Sequence, residues 1–395
     1  MRILWAVSSV GKGHVVRDIA IARQLGALED VEIDWIAPHP AGEFLEHRGH
    51  RVLECSSRLA GSGRAYQRVF AECTDEFNLM DYIRAESKLH RRDFEVSRAA
   101  WAGKGYAVLV GDEAFWLLSG FSSRWGEKPA PFVFLTDFIG TKAMRWRLRD
   151  LWTAWTSNLG FSMSHLGPDL YVYIGEAEEI PSERFGPLLP GRRKWALRHC
   201  RFVKPIVPFD PREVPDKPAL RRELGLPEAG RLFLATVGPE GNHAARTAVI
   251  ERTFEELRGD FPDAHFIMVS PEPGDTPWIR HHRFLDGLHR YFAASDLVIT
   301  QSGYGKVAEL SALGIPFLAI PLDHHFEQEH FMRCRIDHHG AGELLTMRDH
   351  TPREIAEAAR KRMERESPKL EVDSGREVAE IILGAARADR AEGRL

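Results

Sequence analysis

The stretch SDLVITQSGYGKVAEL, residues 295–310, carries the strongest structural signal in the sequence. Its apolar part has the length of a buried strand, the segment around Gly303 and Gly305 is a short glycine loop, and the remainder has the pattern of a helix. The first turn of a helix leaves backbone N–H groups without intrahelical partners, and the helix dipole makes this end positive. The stretch therefore predicts a diphosphate-binding site. Glu309, one turn inside the helix, is placed to accept two hydrogen bonds from a ribose diol.

A second glycine turn is predicted after the strand 232–237, where Gly238 and Gly241 precede a helix that starts near Ala244. Either glycine loop alone is equally well explained as an ordinary strand-to-helix turn, in which glycine only permits a tight bend. The ligand-binding interpretation gains weight because both loops follow strands of one domain. Open α/β sheets bind ligands at the carboxyl ends of their strands.

The rest of the chain repeats this alternation of short apolar runs and longer amphipathic stretches, which is typical of an α/β protein with a mostly parallel sheet. Strands are predicted at residues 3–9, 31–37, 107–110, 132–135, 170–174, 232–237, 265–269, 297–300 and 317–320. Each half of the chain begins with a strand, a glycine loop and a helix. The sequence therefore predicts two Rossmann-like domains that face each other across a cleft.

Five prolines between residues 205 and 218 predict a linker, because proline does not fit inside a helix or a central strand. The predicted organisation is an N-terminal domain over 1–203, a Pro-rich linker over 204–218 and a C-terminal domain over 219–370. A final helix is predicted within 371–395, and packing back on the N-terminal domain is one option for it.

The composition excludes several protein classes. The 395 residues are 44% hydrophobic and 28% charged, which excludes a disordered or fibrous chain, and a net charge of -4 argues against nucleic-acid binding. The four cysteines form no C-x-x-C pair, so neither a disulfide scaffold nor a zinc module is expected. No apolar run approaches ~20 residues and the sequence opens directly on a strand, so we expect a cytoplasmic protein, either a monomer or a homodimer.

Two common nucleotide-binding motifs are incomplete or absent. The pattern G-x-x-x-x-G-K-[ST] does not occur, and Val16 stands where the first loop would need the third glycine of G-x-G-x-x-G. A simple ATP or NAD site is therefore disfavoured.

The stretch that ends in Glu309 resembles the donor-binding signature of inverting glycosyltransferases with the GT-B fold. The relevant branches are families 1 and 28, which include the lipid-linked N-acetylglucosaminyltransferase of peptidoglycan synthesis. In these families a His or Arg opens the loop, Ser/Cys-Gly follows, and a Glu comes six residues after that Gly. Here Gln301 opens the loop, Ser302-Gly303 follow, and Glu309 stands at the expected position. Further similarity lies in residues 11–17, 238–242 and 314–333.

The resemblance implies that a nucleotide diphosphate-sugar, most commonly a UDP-sugar, binds the C-terminal domain as a substrate, with no cofactor and no metal. The neutral Gln301 departs from the family pattern, and Lys306 is a candidate for the missing positive charge. By the same resemblance, Glu327 and Gln328 hold sugar hydroxyls and the backbone at Phe284-Leu285 reads the base. The implied donor-binding residues are Gly238, Glu240, Gly241, Asn242, Phe284, Leu285, Gln301, Ser302, Gly303, Tyr304, Gly305, Lys306, Glu309, Glu327 and Gln328.

The first glycine loop, with Gly11 and Gly13, resembles the Gly-x-Gly-His segment of the same enzymes and places His14 at a helix start. The positive end of the helix dipole disfavours a protonated imidazole, so we expect a neutral His14 that acts as the general base. The alternative is a histidine that caps the helix or binds phosphate. Arg17 completes a Gly-His-Val-x-Arg string that also resembles a GT-B sugar-nucleotide hydrolase.

Three acidic residues follow predicted strands of the N-terminal domain: Asp137 after 132–135, and Asp112 and Glu113 after 107–110. Each of them is a candidate to orient His14 or to bind acceptor hydroxyls. The alternative for each alone is a helix N-cap. We prefer Asp137 over the Asp112-Glu113 pair.

The segment 142–155 interleaves basic residues with Trp146, Trp152 and Trp155. Such a pattern suits a weak contact with a membrane surface or an anionic acceptor. The alternative, which we favour, is a long helix that lines the acceptor side of the cleft, with tryptophan stacked on apolar parts of the acceptor.

These features together predict an inverting, metal-independent glycosyltransferase that moves a sugar to an acceptor hydroxyl. His14 would take the acceptor proton, and the two glycine loops would stabilise the departing diphosphate. A sugar-nucleotide hydrolase or an epimerase on the same fold is the alternative, and a non-enzymatic nucleotide-sugar-binding protein is a third class. The paired histidines at 281–282, 324–325 and 338–339 lack the H-x-x-x-H spacing, so no metal site is predicted.

Overall fold

The computed structural model describes residues 1–8, 12–59, 79–238, 243–272 and 274–391. These residues form two compact units. Unit 1 contains the described residues up to Pro208 together with those from Asp373 onwards, and unit 2 contains those in Phe209–Val372.

The chain passes from unit 1 to unit 2 inside the predicted linker, but much of that linker is ordered backbone. Val207 N donates to Asp373 O at 3.1 Å, and Asp373 N donates to Pro205 O at 2.8 Å. The expectation that none of the linker prolines lies in a helix is wrong for Pro218. It stands in the first helical turn after the N-cap Asp216, where the missing N–H of proline costs nothing.

Unit 1 contains a parallel sheet in the order β2-β1-β3-β4-β5-β6. Strands β1 to β6 are Arg2–Val7, Glu32–Ile36, Val108–Asp112, Phe132–Thr136, Leu170–Ile174 and Cys200–Val203. Helices α1 to α7 are Lys12–Leu28, Ala41–Glu46, Leu79–Ser87, His90–Trp101, Phe115–Ser122, Leu148–Met163 and Arg192–His199.

Unit 2 contains a second parallel sheet, in the order β12-β11-β10-β7-β8-β9. Strands β7 to β12 are Leu232–Thr236, His265–Val269, Ile279–His282, Leu297–Gln301, Phe317–Ile320 and Gly342–Leu344. Helices α8 to α13 are Lys217–Glu223, His243–Asp260, Leu288–Ala294, Tyr304–Leu313, Met332–His339 and Pro352–Met363, and a π-helical turn spans Glu327–Phe331.

The last helix, α14 at Arg376–Ala391, returns to unit 1 and packs against α1. Gly375 permits this close approach, since a Cβ at this position would lie 2.8 Å from the Cα of Ile21, and its φ is +95°. Gln24 Nε2 also donates to Ser374 Oγ at 3.0 Å.

The central strands match the predicted ones within one or two residues because they are buried on both faces and therefore read as continuous apolar runs. Strands β3, β4, β7 and β10 are buried along their whole length. The three strands that the sequence did not predict are β6, β9 and β12, and each contains exposed or half-buried residues. All three lie at the edge of a sheet, where one side of the strand has no neighbouring strand. Fewer of their residues are buried, so their sequences lack the continuous apolar run that marks a central strand.

Among the described residues, no helix has both the length and the apolar character needed to cross a bilayer.

Candidate functional site

The glycine turns predicted in unit 2 follow the carboxyl ends of two neighbouring strands. Strands β7 and β10 are parallel neighbours, and the hydroxyls of Thr236 and Thr300 near their carboxyl ends are 2.7 Å apart. Gly238 follows β7, and Ser302 and Gly303 follow β10. The two loops are therefore close enough to serve one ligand.

The start of α11 is open to such a ligand. Its N-cap is Gly303, and no side chain caps the helix. A Cβ at Gly303 or Gly305 would meet no heavy atom of the described residues within 4 Å, so the described part of the chain leaves open space beside these two glycines. The N–H groups of the first turn and the positive helix end suit a diphosphate, and the half-buried Lys306 adds a positive charge in the same turn.

Glu309 lies in the second turn of α11 and makes no hydrogen bond to the described residues. Burial raises its pKa to about 7, although Lys306 acts in the opposite direction. A carboxyl group in this state gains by accepting hydrogen bonds from a bound diol, since they stabilise its ionised form. Its position and its electrostatics agree with the predicted ribose contact.

Gln301, the residue that departs from the family pattern, is buried and joins three loops. A Cβ on Gly238 would lie 1.5 Å from Gln301 Oε1, so a larger residue at position 238 would displace the Gln301 amide. Gln301 Nε2 donates to Oε1 of Gln328 at 3.2 Å. The amide therefore stabilises the loop framework.

The predicted contact of Gln328 with sugar hydroxyls stays a prediction, and the structure shows the surroundings of its amide oxygen. This oxygen already accepts hydrogen bonds from Gln301 and from Leu322 N, the second at 3.1 Å. The Gln328 carbonyl accepts from Ser302 Oγ at 2.8 Å, which further fixes the residue inside the loop framework. Glu327 is half-buried at the start of the π-helical turn, a type of turn that is frequent at functional sites. Glu327 therefore remains the candidate for a sugar contact.

The other predicted donor residues have different surroundings. Phe284 is 70% exposed in the loop after β9, and Leu285 beside it is half-buried. The Tyr304 ring is buried under the Arg335 guanidinium, 4.2 Å from the ring centroid, so this side chain packs inside. Glu240, Gly241 and Asn242 lie outside the described residues.

Unit 1 carries a second cluster of polar side chains at the carboxyl end of its own sheet. Asp112 ends β3 and Asp137 follows β4, while α1, which follows β1, supplies His14 and Arg17. Because β1, β3 and β4 are neighbours, side chains up to 120 residues apart in sequence come into contact.

Arg17 is the centre of this cluster. Its Nη2 donates to Asp112 Oδ1 at 2.5 Å, its Nε donates to Asp112 Oδ2 at 3.2 Å, and its Nη1 donates to Asp137 Oδ2 at 2.6 Å. All three side chains are buried. Despite burial, Arg17 and His14 hold the pKa of Asp112 well below its usual range. Arg17 therefore compensates two buried carboxylates.

His14 contacts Arg17, Asp112 and Glu113. Its Nδ1 lies 2.8 Å from Arg17 Nη2 and 3.5 Å from Asp112 Oδ1, and its Nε2 lies 3.5 Å from Glu113 Oε2. Burial opposes a charge on the imidazole, but Glu113 and Asp112 outweigh it and raise the pKa of His14 to about 9. The expectation of a neutral His14 is therefore wrong, because the carboxylates of Glu113 and Asp112 both face the imidazole.

The two protonation states of His14 use different partners. In the neutral ring, Nδ1 can accept the hydrogen bond of Arg17 while Nε2–H faces Glu113. In the protonated ring both nitrogens are donors, so Nδ1–H must turn to Asp112 instead of Arg17. The cluster can therefore hold or release one proton at His14.

Glu113 is held in an unusual backbone conformation with φ of +48°. Its Oε1 accepts hydrogen bonds from Thr136 Oγ1 at 3.1 Å and from Asp137 N at 3.3 Å, which fix the carboxylate beside His14. The preference for Asp137 as the partner of His14 is wrong, since Asp137 binds Arg17 and the pair Asp112-Glu113 faces the imidazole.

Asp18 is a member of the cluster that the sequence analysis missed. It is fully buried, and burial together with the negative charge of Asp112 raises its pKa well above the usual range. The surroundings of Asp18 therefore disfavour a second negative charge beside Asp112. Nothing in the sequence distinguishes it from an ordinary surface aspartate of an amphipathic helix.

His14, Glu113 and Asp137 also form a possible metal-ligand set, since one donor atom from each lies within 4.8 Å of the others. The sequence did not reveal this set because the three residues come from three separate segments, the start of α1 and the ends of β3 and β4. Arg17 already neutralises Asp137 at 2.6 Å, so a cation here would have to compete with a guanidinium.

The remaining residues predicted on the acceptor side are less informative. Gly11 lies outside the described residues, and Gly13 is part of α1, which begins at Lys12. Trp146 is 96% exposed and precedes α6. The predicted start of the long helix at residue 142 is wrong, because the helix begins only at Leu148.

One segment in the C-terminal part of the chain matches a known protein family. Residues 258–382 match the glycosyltransferase family 28 C-terminal domain. This range contains β10, the start of α11, Glu309 and the π-helical turn, and so includes most of the candidate donor-binding site.

The curated relatives are also glycosyltransferases. An uncharacterized glycosyltransferase of Methanopyrus kandleri is 29% identical over 191 residues, which cover 48% of this chain and 52% of the relative. The UDP-N-acetylglucosamine–N-acetylmuramyl-(pentapeptide) pyrophosphoryl-undecaprenol N-acetylglucosamine transferase of Mycolicibacterium vanbaalenii is 27% identical over 196 residues, 44% of this chain and 49% of the relative. The chain therefore matches about half the length of the curated relatives.

Similarity to solved structures extends over nearly the whole chain. The glycosyltransferase of kitacinnamycin aligns with a TM-score of 0.60 at 14% identity, covering 99% of this chain and 95% of that one. MurG of Acinetobacter baumannii aligns with a TM-score of 0.57 at 12% identity, covering 97% of this chain and 99% of that one. At such identities the similarity concerns the fold. The comparisons confirm the predicted resemblance to GT-B glycosyltransferases of families 1 and 28 and the predicted pair of Rossmann-like domains.

Proposed function

We propose that this protein is an inverting, metal-independent glycosyltransferase. It moves a sugar from a nucleotide diphosphate-sugar, with a UDP-sugar as the preferred candidate, to an acceptor hydroxyl. One observation carries the proposal. The segment that matches the family 28 C-terminal domain contains a helix start without a side-chain cap, and the carboxyl group of Glu309 lies one turn inside it. The curated relatives, named as glycosyltransferases, support the same reaction class.

Unit 2 binds the donor in this proposal. The diphosphate lies at the start of α11, where backbone N–H groups and Lys306 face it, and Glu309 accepts hydrogen bonds from the ribose. When the bond between sugar and diphosphate breaks, negative charge grows on the leaving group. The same N–H groups then bind it more strongly, which lowers the barrier as well as improving affinity.

Unit 1 binds the acceptor, and its histidine cluster takes the proton. The acceptor hydroxyl loses its proton to Nε2 of a neutral His14, whose Nδ1–H donates to Asp112, as its oxygen attacks the anomeric carbon. Because Glu113 and Asp112 raise the pKa of His14 to about 9, only a small fraction of the free protein holds the neutral form at pH 7. The value of kcat/KM, which reports on the free enzyme, is therefore expected to rise with pH up to about this pKa. A single displacement inverts the configuration at the anomeric carbon.

The alternative is a sugar-nucleotide hydrolase with the same residues, in which water replaces the acceptor. One experiment separates the two. The protein is incubated with a panel of nucleotide-sugars, first without acceptor and then with a mixture of hydroxyl-bearing acceptors. Slow release of free sugar that gives way to a glycosylated product supports the transferase. Rapid, stoichiometric release of free sugar that no acceptor diverts contradicts the transferase and identifies the hydrolase.

A further inference from the structure

The helix α6 in unit 1 has polar residues on its inner side and apolar residues on its outer side. Its buried residues include Asp150, Thr153 and Asn158. At 3.6 residues per turn, its exposed or half-buried apolar residues form one stripe about 120° wide on the opposite side. This outward stripe consists of Leu148, Leu151, Trp152, Trp155, Leu159 and Met163.

Hydrogen bonds of the inner side chains fix the orientation of α6. Asn158 Oδ1 accepts from Thr141 N at 2.7 Å, and Asn158 Nδ2 donates to Phe185 O at 2.7 Å. Closer to the start of the helix, Arg84 donates to Thr153 Oγ1 at 2.7 Å. A rotation of α6 that buried the outward stripe would break these bonds and leave buried polar groups unpaired. The outward stripe is therefore a fixed feature of the fold.

Further exposed apolar side chains enlarge this surface. Trp152 on the stripe is 65% exposed, and Trp146, just before the helix, is 96% exposed. Trp155 Nε1 donates to Pro187 O at 3.3 Å and so holds the neighbouring loop against α6. In that loop Leu188 is 97% exposed. Monomeric soluble proteins rarely expose so many large apolar side chains together, and such a patch is typical of a docking surface.

The charges along α6 are concentrated at its N-terminal end. Residues 142–149 contain four cations, whereas residues 151–164 contain no ionisable side chain. Arg147 is exposed and forms no ion pair with the described residues. Cations at this end face the positive end of their own helix dipole, so the negative C-terminal end of another helix complements them better.

We propose that the outward stripe pairs α6 with α6 of a second copy of this chain, in a twofold dimer in which the two helices run antiparallel. A twofold axis brings the same surface of both copies together, so the surface must complement itself. Antiparallel pairing about the midpoint of α6 places Leu148 opposite Met163 of the partner subunit. It also places Trp152 opposite Leu159 of the partner subunit. The apolar residues of the stripe then meet one another along the whole helix.

Antiparallel pairing also complements the charges. Arg147 of one copy lies beside the C-terminal end of the partner's helix, where the dipole is negative and the last turn has no basic residue. The basic ends of the two helices are separated by about 22 Å along the axis, at 1.5 Å per residue. This separation exceeds the Debye length of about 10 Å, so the two ends hardly repel each other. In a parallel pair they would lie side by side.

The surface is large enough for a stable dimer. Trp146 and Trp152 can each bury about 150–250 Å², and twofold symmetry counts each of them twice. The leucines and Met163 add further apolar area from both copies. The total reaches the range of about 1,200–2,000 Å² that specific interfaces bury. The proposal does not depend on the proposed transferase activity.

Sedimentation equilibrium with the full-length chain tests the dimer. The native chain is expected to be dimeric at micromolar concentrations. Leu148→Gln with Trp152→Gln should raise the dissociation constant at least about 100-fold, because two buried contacts are lost on each side of the axis. Arg147→Glu should raise it about 10-fold, because the new charge faces the negative end of the partner's helix. All these side chains are exposed in the single chain, so circular dichroism should show an intact fold.

Matched controls carry the same chemical changes on α7 of the same unit. Leu197→Gln changes a leucine that is 61% exposed, and Arg198→Glu reverses an exposed arginine. Both control variants should dimerise like the native chain. Equal dissociation constants for the stripe variants and the controls would overturn the proposal, and so would a native chain that remains monomeric.

Cysteine cross-linking with a short bismaleimide tests the antiparallel arrangement. A mixture of Leu148→Cys and Met163→Cys chains should form a cross-linked dimer, whereas Leu148→Cys chains alone should give only the background of the native cysteines. Thr156→Cys chains alone should cross-link, because this exposed residue lies near the midpoint of α6 and therefore near the axis.

Two further outcomes would contradict the proposal. Efficient cross-linking of Leu148→Cys chains with one another would exclude the antiparallel arrangement. A native chain that stays monomeric in solution but floats with phosphatidylglycerol vesicles would identify a lipid surface as the occupant of the stripe, and would overturn the dimer.

Discussion

The two candidate sites differ in how they manage charge. In unit 1, six ionisable residues, His14, Arg17, Asp18, Asp112, Glu113 and Asp137, form a cluster centred on Arg17. In unit 2, the site consists mainly of backbone groups at a helix start, and Glu309 has no hydrogen-bond partner among the described residues. A charge in the first site is needed by its neighbours, whereas the charge of Glu309 is opposed by its surroundings. Removal of a charged group should therefore destabilise the fold at the unit 1 site and stabilise it at Glu309 in unit 2.

The largest effect is expected for His14→Ala. If His14 accepts the acceptor proton, kcat should fall by roughly 10²- to 10⁴-fold while the affinity for the donor nucleotide stays nearly unchanged. Steady-state kinetics and calorimetry measure the two quantities. A variant that keeps most of its kcat would end the catalytic assignment of His14, and a weaker donor affinity would instead indicate a phosphate-binding role.

Arg17→Met should cause the largest loss of stability. It leaves the buried carboxylates of Asp112 and Asp137 without a counter-charge, and removal of one partner from a buried ion pair typically costs about 3–5 kcal/mol. The free energy of unfolding, measured by urea denaturation, should fall accordingly. Arg387→Met is the control, since its ion pair with Glu29 is exposed and should contribute less than about 1 kcal/mol. Equal losses in the two variants would show that the unit 1 cluster does not depend on Arg17.

Glu309→Ala should weaken nucleoside diphosphate binding by on the order of 2 kcal/mol, the free energy of a charge-assisted hydrogen bond. Calorimetry with UDP measures it, and Glu357→Ala on α13, an exposed glutamate of the same unit, is the control. Unchanged affinity would remove Glu309 from the donor site.

Loss of the charge at Glu309 should change the free energy of unfolding in the opposite direction to loss of the charge at Arg17. The pKa of Glu309 is about 7 in the folded protein and 4.5 ordinarily, so its ionisation destabilises the fold. The penalty is absent below pH 4.5 and complete above about pH 7. Glu309→Gln should therefore raise the free energy of unfolding at pH 8 and leave it unchanged at pH 4, as denaturation at the two pH values would show. A lower stability at pH 8 would contradict the contrast between the two sites.

A smaller effect is expected for Glu113→Gln. Removal of this carboxylate should lower the pKa of His14 from about 9 towards its ordinary value, a shift of about 1–2 units. The pH profile of kcat/KM should move to lower pH, because the neutral form of His14 becomes available earlier. An unmoved profile would mean that another group is titrating.

The smallest effect is expected for metal removal. Arg17 already compensates Asp137, and the start of α11 with Lys306 provides positive charge for the diphosphate, so EDTA should change turnover by less than about 2-fold. Loss of turnover in EDTA and recovery with Mn²⁺ or Mg²⁺ would show that His14, Glu113 and Asp137 hold a metal.

The sequence predicted the central strands, the turn from β10 into α11 and the position of Glu309, because these depend on local patterns of about ten residues. The protonation state of His14 could not be predicted in this way. It depends on Asp112 and Glu113, which approach it only after β1 and β3 pair. Asp18 was missed for the same reason.

The orientation of α6 was also beyond local patterns. Apolar spacing identifies one face of a helix, but it does not say whether that face is inside. Leu148 and Trp152 on this helix are exposed, whereas Asn158, Thr153 and Asp150 face inward. The hydrogen-bond partners that hold these three side chains inside lie in separate segments of the chain.

The most direct test of the proposed donor site is the proton balance of nucleotide binding. Calorimetry of UDP binding at pH 7 in buffers of different ionisation enthalpy gives the number of protons released. Because Glu309 is about half protonated there and its ionised form binds the ribose, the native chain should release roughly half a proton more than Glu309→Gln. An equal proton count and equal affinity in the two proteins would contradict the account.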